Sequence, residues 1–194
     1  MYYLTVSNAI LILAAGKSER FATGKSNSNK LQATFKGKPL IKWILDVVSE
    51  TQCDERIVVL KDDTLTRLIS DEFTVLINHS AELGLASSLN VGIHYALNSG
   101  HSSVVVALAD MPFLTVDSFN AVLDEESTSL VATTYGQKVG HPIKIKKEMF
   151  FKLPTAGDIG AKQLMADFPN MVTLVKGSGS PVDIDTKEDL SKWS

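Results

Sequence analysis

Cysteine is nearly absent from the sequence. Cys53 is the one thiol among 194 residues, so an intrachain disulfide is impossible and nothing calls for an oxidising compartment. Long apolar runs are missing as well. The longest covers residues 9–15, between Asn8 and Gly16, far short of the ~20 residues that a membrane-spanning helix needs. Lys17 is the first basic residue, so no charged segment precedes that run. No small-residue cleavage pattern follows it, and a secretion signal is not expected. The expected location is the cytoplasm, with no membrane partner. Positive charge is not in excess either: 19 Lys+Arg against 22 Asp+Glu leave a net charge of −3. Phosphate backbones require clustered Lys and Arg, so no nucleic-acid partner is expected. No cluster of Cys and His has the spacing of a zinc site, and there is no internal repeat or low-complexity linker.

What is present is an ordinary globular composition, 44% apolar and 21% charged. The length suits one domain over residues 1–194, able to bury about 70% of the unfolded chain's surface. Residues 9–14 form a short Ile- and Leu-rich run ending near a glycine, the pattern of a strand covered on both faces. Residues 56–60, 73–77 and 103–109 have the same character. Leu40, Ile41, Ile44, Leu45 and Val48 recur at helical spacing after Pro39. Leu85, Leu89, Ile93 and Leu97 make a second stripe, and 117–126, 159–168 and 187–193 are further predicted helices. The part after Thr128 is richer in strands, predicted at 129–135, 142–145, 171–175 and 182–185. Alternating strands and helices imply a layered α/β fold.

Residues 17–29 are polar and read as a loop directly after the first strand, where open α/β sheets take ligands. The loop begins Leu13-Ala14-Ala15-Gly16-Lys17-Ser18-Glu19-Arg20. Small residues there let a ligand approach the backbone, and successive N–H groups suit phosphate oxygens. There is no G-x-G-x-x-G fingerprint. Gly-Lys-Ser occurs twice, but Leu11 and Glu19 stand where a P-loop requires its first glycine. A plain strand-to-helix turn is the alternative. Asp110, in Leu108-Ala109-Asp110-Met111-Pro112, stands at the C-terminal end of a buried strand, as a ligand-facing carboxylate or as a cap for the next helix. Asp183 and Asp185 would share one face if 182–185 is a strand. Asp185 or Thr186 could instead cap the last helix, with Asp189 in its first turn. Carboxylates from distant segments suit Mg²⁺, which prefers oxygen ligands shared with substrate phosphates.

Taken in order, these segments resemble the molybdenum cofactor cytidylyltransferases, within the wider nucleotidyltransferases of nucleotide-diphospho-sugar transferase fold. The resemblance runs from Ile10 to Leu190. It is carried by Leu13-Ala14-Ala15-Gly16 with Arg20 and Lys30-Leu31, Gly37-Lys38-Pro39-Leu40, Gly84-Leu85-Ala86-Ser87-Ser88-Leu89 and Asp110-Met111-Pro112. Gly140-His141-Pro142, Gly157-Asp158-Ile159-Gly160-Ala161-Lys162 and Asp183-Ile184-Asp185-Thr186 complete it. The first loop and Asp-Met-Pro belong to the wider group; the Gly-His-Pro and Gly-Asp-x-Gly-Ala segments are narrower and point to the molybdopterin branch. Ala14-Ala15-Gly16 is similar to the cytidylyl type, whereas guanylyl members carry Ala-Gly-Gly. In one departure, Lys30 stands further from Arg20 than the family's lysine does; Lys25 is nearer the usual spacing, but Leu31 and the register through Leu40 favour Lys30.

The resemblance implies a three-layer α/β/α fold with a mixed, mostly parallel sheet. Residues 9–112 would bind the nucleotide and 113–194 the acceptor. It implies CMP transfer from CTP to molybdopterin or the molybdenum cofactor, with a recipient molybdoenzyme as a further partner. Leu13, Ala14, Ala15 and Gly16 would cradle the nucleotide, with Ser87 and Ser88 reading the base or capping a helix. Arg20 and Lys30 would bind phosphates, and Asp110 and Asp185 would hold Mg²⁺, with Asp183 as the alternative ligand. His141 would touch the pterin or serve a turn. The rival readings are a cytidylyl- or guanylyltransferase acting on a sugar or alcohol phosphate, and a non-catalytic carrier of the cofactor.

Overall fold

The computed structural model describes residues 7–16, 21, 29–158 and 160–193. The elements run β1 (Asn8–Ala14), β2 (Thr34–Phe35), β3 (Lys38–Pro39), α1 (Leu40–Glu50), β4 (Glu55–Leu60), β5 (Phe73–Ile77) and α2 (Leu85–Asn98). They continue with β6 (Ser103–Leu108), α3 (Val116–Asp124), β7 (Leu130–Tyr135), β8 (Lys138–Lys146), α4 (Ala161–Asp167), β9 (Val172–Lys176) and α5 (Lys187–Trp193). Seven strands form one sheet in the order β5-β4-β1-β6-β8-β7-β9, and β2 and β3 form a separate two-stranded ribbon. β5, β4, β1 and β6 are mutually parallel, β8 is antiparallel to β6 and β7, and β9 is parallel to β7. Only β8 opposes the rest of the large sheet, which is therefore mixed and mostly parallel, as expected.

The apolar run of β1 is continuous because helices cover both faces of the sheet. Ile10, Ile12 and Ala14 face one layer with Leu40, Ile41, Ile44 and Val48 of α1 and Phe119 and Val122 of α3. Ala9, Leu11 and Leu13 face the other, with Leu89, Ile93 and Ala96 of α2 and Leu164 of α4. Alternation along the strand thus yields three layers. Gly92 lets α2 lie close to β1, since a Cβ there would overlap the Leu11 side chain. Among the described residues no helix is long and apolar enough to cross a membrane.

One element differs from expectation in kind. Residues 182–185 form no strand. Ile184 is fully buried and its N–H donates to the Asp110 carbonyl at 2.9 Å, whereas Asp183 is exposed. The alternation of apolar and acidic residues marks one anchoring side chain above a turn rather than a ladder. The strand predicted at 142–145 extends over Lys138–Lys146, because its start is the hairpin arm returning from β7.

Candidate active site

The C-terminal ends of β1 and β6 open into a cavity of about 310 Å³. Leu13, Ala14, Ala15 and Gly16 line it from β1, and Leu108, Ala109 and Asp110 from β6. The Ala109 N–H donates to the Leu13 carbonyl at 3.1 Å, joining the two strand exits. Gly16 is exposed, and a Cβ added to it would meet none of the described residues within 4 Å. No described side chain or backbone crowds it, the property that a loop cradling phosphate needs.

Lys30 enters from a short 3₁₀ turn, Lys30–Gln32, whose preceding Asn29 accepts from the Leu31 N–H at 3.0 Å. Leu31 is buried against the α1 layer, and this anchor points Lys30 at the strand ends. Its ammonium donates to Asp110 Oδ2 at 2.7 Å and Asp185 Oδ1 at 2.6 Å. Burial opposes the charge on Lys30, but the two carboxylates outweigh it and hold the ammonium above its ordinary value. Burial likewise pushes the Asp110 carboxyl above its usual range, against the pull of Lys30. Asp110 Oδ1 is buried and has no hydrogen-bond partner among the described residues.

The capping alternatives for both aspartates fail. Thr115 caps α3, its side chain accepting from the Ser118 N–H, so Asp110 is not the cap. Thr186 and Asp189 satisfy one another at the start of α5: Thr186 Oγ1 accepts from the Asp189 N–H at 3.0 Å and Asp189 Oδ2 from the Thr186 N–H at 2.9 Å. That reciprocal box gives the Asp185 carboxylate no capping role, and Lys30 is one of its partners. The donor set fits a divalent cation: hard oxygen ligands from two segments, one oxygen buried and without a partner among the described residues. Among the described residues no group of three or more His, Cys, Asp or Glu could hold a metal by itself, so further ligands would be phosphate oxygens and water.

The opposite wall is the turn into α2. Gly84, at φ +97°, precedes the helix, and a Cβ there would come within 2.6 Å of the Gly157 backbone. The Gly157 N–H donates to the Leu83 carbonyl at 2.8 Å, and its own carbonyl accepts from the Ala86 N–H at 2.9 Å. Two segments far apart in sequence are thus one surface, which brings Asp158 to the cavity wall beside Gly84, Leu85 and Ser88.

This geometry has relatives. Residues 10–172 match the MobA-like NTP transferase domain. The chain belongs to that family. Nucleotidyl transfer is the family's chemistry. The purine catabolism protein PucB of Bacillus subtilis is 26% identical over 193 residues, covering 92% of each chain. Rv0371c of Mycobacterium tuberculosis, solved in complex with manganese, superposes with a TM-score of 0.79 at 21% identity, covering 96% of this chain and 97% of that one. The inositol-1-phosphate CTP transferase of T. maritima superposes with a TM-score of 0.75 at 15% identity, covering 96% and 93%. These two likenesses establish the fold, that of the nucleotide-diphospho-sugar transferase-like nucleotidyltransferases.

Not every anticipated residue of this MobA-like domain reaches the cavity. Ser88 lines it, while Ser87 does not. Neither caps α2: Ser87 Oγ donates to the Ser80 carbonyl at 3.0 Å, and Asn78 Nδ2 donates to both hydroxyls, at 3.1 and 2.9 Å. Asn78 therefore organises this turn, and nothing in its local sequence signals that role. His141 lies in β8 beside a register shift and does not line the cavity. Burial pushes its imidazole down to about 3, and its Nδ1 has no partner among the described residues. His141 is buried and stands outside the lining of this cavity. Asp183 is exposed and outside the lining set, so Asp185 is the carboxylate that joins Asp110. Arg20 and Lys25 lie outside the described residues.

Proposed function

We propose that this protein transfers CMP from CTP to the terminal phosphate of molybdopterin or the molybdenum cofactor, with release of pyrophosphate. The observation that carries the reading is the Lys30 ammonium held between Asp110 and Asp185, beside the Leu13-Ala14-Ala15-Gly16 turn, in a chain of the MobA-like family. The attacking acceptor oxygen is already an anion, so no strong general base is required. Its new bond to the α-phosphorus forms as the bond to pyrophosphate breaks. The barrier lies in bringing anions together and stabilising the leaving group, which positioning and positive charge accomplish.

In this reading the backbone N–H groups of Ala15 and Gly16 hold the triphosphate. Lys30 supplies a charge on a flexible stem, and Arg20 a forked clamp. Asp110 and Asp185 would hold Mg²⁺, which when bound neutralises phosphate charge as a Lewis acid. The preference for CTP rests on Ala15, and the molybdopterin acceptor on the Gly140-His141-Pro142 and Gly157-to-Lys162 segments. Residues 9–112 take the nucleotide and 113–194 the acceptor.

The test is pyrophosphate release with CTP, GTP or ATP, each with Mg²⁺ and with molybdopterin, its molybdenum-bearing form or a sugar phosphate as acceptor. The reading expects release with CTP and a pterin acceptor. Equal use of CTP and GTP removes the cytidylyl assignment; release only with the sugar phosphate removes the pterin one.

A further inference from the structure

The cavity reaches from one face of the sheet to the other. Lys30 enters it from the α1 layer, where its neighbour Leu31 is buried, and Asp185 from beside Ile184 in that same layer. Ala81 and Leu85 enter it from the α2 layer. The β1 exit, residues 13–16, lies between. The two ends differ in what they offer an anion: among the described residues only the first holds a cationic side chain, beside the two carboxylates proposed to hold a divalent cation. The first carries an ammonium that serves two carboxylates. The second carries the Asp158 carboxylate, to which no described residue donates a hydrogen bond.

Asp158 is held in place by its backbone. Gly157 bonds to Leu83 and Ala86 on either side of the turn, at 2.8 and 2.9 Å. The fit against Gly84 is close enough that a Cβ on Gly84 would stand 2.7 Å from Asp158 Oδ1. Asp158 is exposed, and its carboxylate sits against the main chain of the α2 turn.

A nucleoside triphosphate lying along the 13–16 loop has one favourable direction. Its polyphosphate belongs at the Lys30 end, since the reverse orientation would set like charges together at Asp158. The base then falls at the Asp158 end. We propose that Asp158 reads the base: its carboxylate accepts a hydrogen bond from the exocyclic 4-amino group of cytosine and thereby separates CTP from UTP. This assignment rests on the cytidylyl reading above and departs from its division of labour at one residue: Asp158, although in the 113–194 part, serves the base and not the acceptor. An ionised carboxylate only accepts hydrogen bonds. Cytosine presents a donor at position 4, whereas uracil presents an acceptor oxygen, as thymine does. With uracil in place, two acceptors face each other with no proton between them. Hydrogen bonds to charged groups contribute about 1.5–3 kcal/mol, which corresponds to a discrimination on the order of 10- to 100-fold.

The experiment measures kcat/KM for CTP, UTP and GTP at saturating Mg²⁺ and fixed acceptor, with direct binding of CTP and UTP in parallel. The proteins are wild type, Asp158→Asn and Asp158→Ala. Asparagine offers an amide that donates to the uracil oxygen. The expected result is that Asp158→Asn lowers the CTP/UTP ratio on the order of 10- to 100-fold, with a gain in UTP use. Asp158→Ala should lose CTP use without gaining UTP, and the acceptor KM should stay put in both variants. An unchanged CTP/UTP ratio in both variants, with a CTP-specific wild type, overturns the role of Asp158 and leaves the cytidylyl reading intact. Equal loss of CTP and UTP, or a rise in acceptor KM at a constant ratio, places the carboxylate on the sugar or the acceptor and also overturns it. A wild type that prefers GTP removes the cytidylyl reading and this assignment together.

Discussion

The two edges of the sheet treat buried polar groups in opposite ways. At the N-terminal ends of the parallel strands, Glu55 is saturated. Its Oε1 accepts from Tyr95 and Thr74, each at 2.8 Å, and its Oε2 lies 2.7 Å from His101 Nε2. His101 Nδ1 in turn meets Ser7 Oγ at 2.8 Å. Burial opposes the Glu55 charge, but the bonds from His101, Thr74 and Tyr95 outweigh it and hold the carboxyl below its ordinary value. At the C-terminal ends, burial wins at Asp110 and its pKa rises. The two buried side-chain atoms without a partner among the described residues, Asp110 Oδ1 and His141 Nδ1, are both at that edge. A satisfied network clips strands together; of the two unsatisfied atoms only that of Asp110 belongs to a residue lining the cavity, where a ligand could complete it. The N-terminal edge thus serves stability, and the C-terminal edge is the one to which the proposed chemistry is assigned.

The sharpest way to break this contrast is to exchange the two costs. Asp110→Asn keeps the shape and an acceptor for Lys30 but removes the charge. Turnover should fall about 10³-fold or more, the several kcal/mol that a bound cation supplies. The melting temperature should stay within about 4 °C, the shift that ~1 kcal/mol produces in a chain of this size. Glu55→Gln should do the reverse, lowering stability by about 2 kcal/mol in denaturant unfolding, with kcat/KM unchanged at low temperature. The pH dependence follows from the sign of the Glu55 shift. A depressed folded-state pKa stabilises fully above the ordinary value of 4.5 and progressively less as the pH falls through the folded value. The gap between wild type and Glu55→Gln should therefore narrow on acidification below pH 4.5.

A smaller effect is expected within the chemical edge itself. The Ala15 methyl is buried with the α2 layer and lines the cavity. Ala15→Gly should relax the preference for CTP over GTP in pyrophosphate release by about tenfold, the scale of one methyl group in a pocket. An unchanged ratio would move base selection off the first loop.

The contrast between the edges also separates what the sequence discloses from what it hides. β1, β4, β5 and β6 were legible because burial on both faces writes uninterrupted apolar runs, and α5 because Thr186 and Asp189 carry a capping signal. Asp110 was legible as a carboxylate at a strand exit, and Lys30 through Leu31, whose burial sets the register. Residues 182–185 misled because a single anchoring Ile184 between two acids mimics strand alternation. Ser87 and His141 could not be placed, since local sequence does not tell whether a polar group faces the cavity or the sheet interior. Asp158 stood inside a legible motif, yet its place on the cavity wall depends on Gly84 meeting Gly157, a contact between distant segments. The Glu55–His101–Ser7 network was invisible for the same reason.

The central claim, that Asp110 and Asp185 complete their coordination with a cation carried by the nucleotide, is tested most directly by Mn²⁺ binding. Free Mn²⁺ is followed by electron paramagnetic resonance as wild type, Asp110→Asn and Glu55→Gln are titrated in the presence of CTP, with no acceptor present. Even partners outside the coordination shell cost 10- to 100-fold in metal affinity, so loss of a ligand should weaken binding by about tenfold or more. The account predicts that loss for Asp110→Asn and wild-type affinity for Glu55→Gln. Wild-type Mn²⁺ affinity in Asp110→Asn would contradict it.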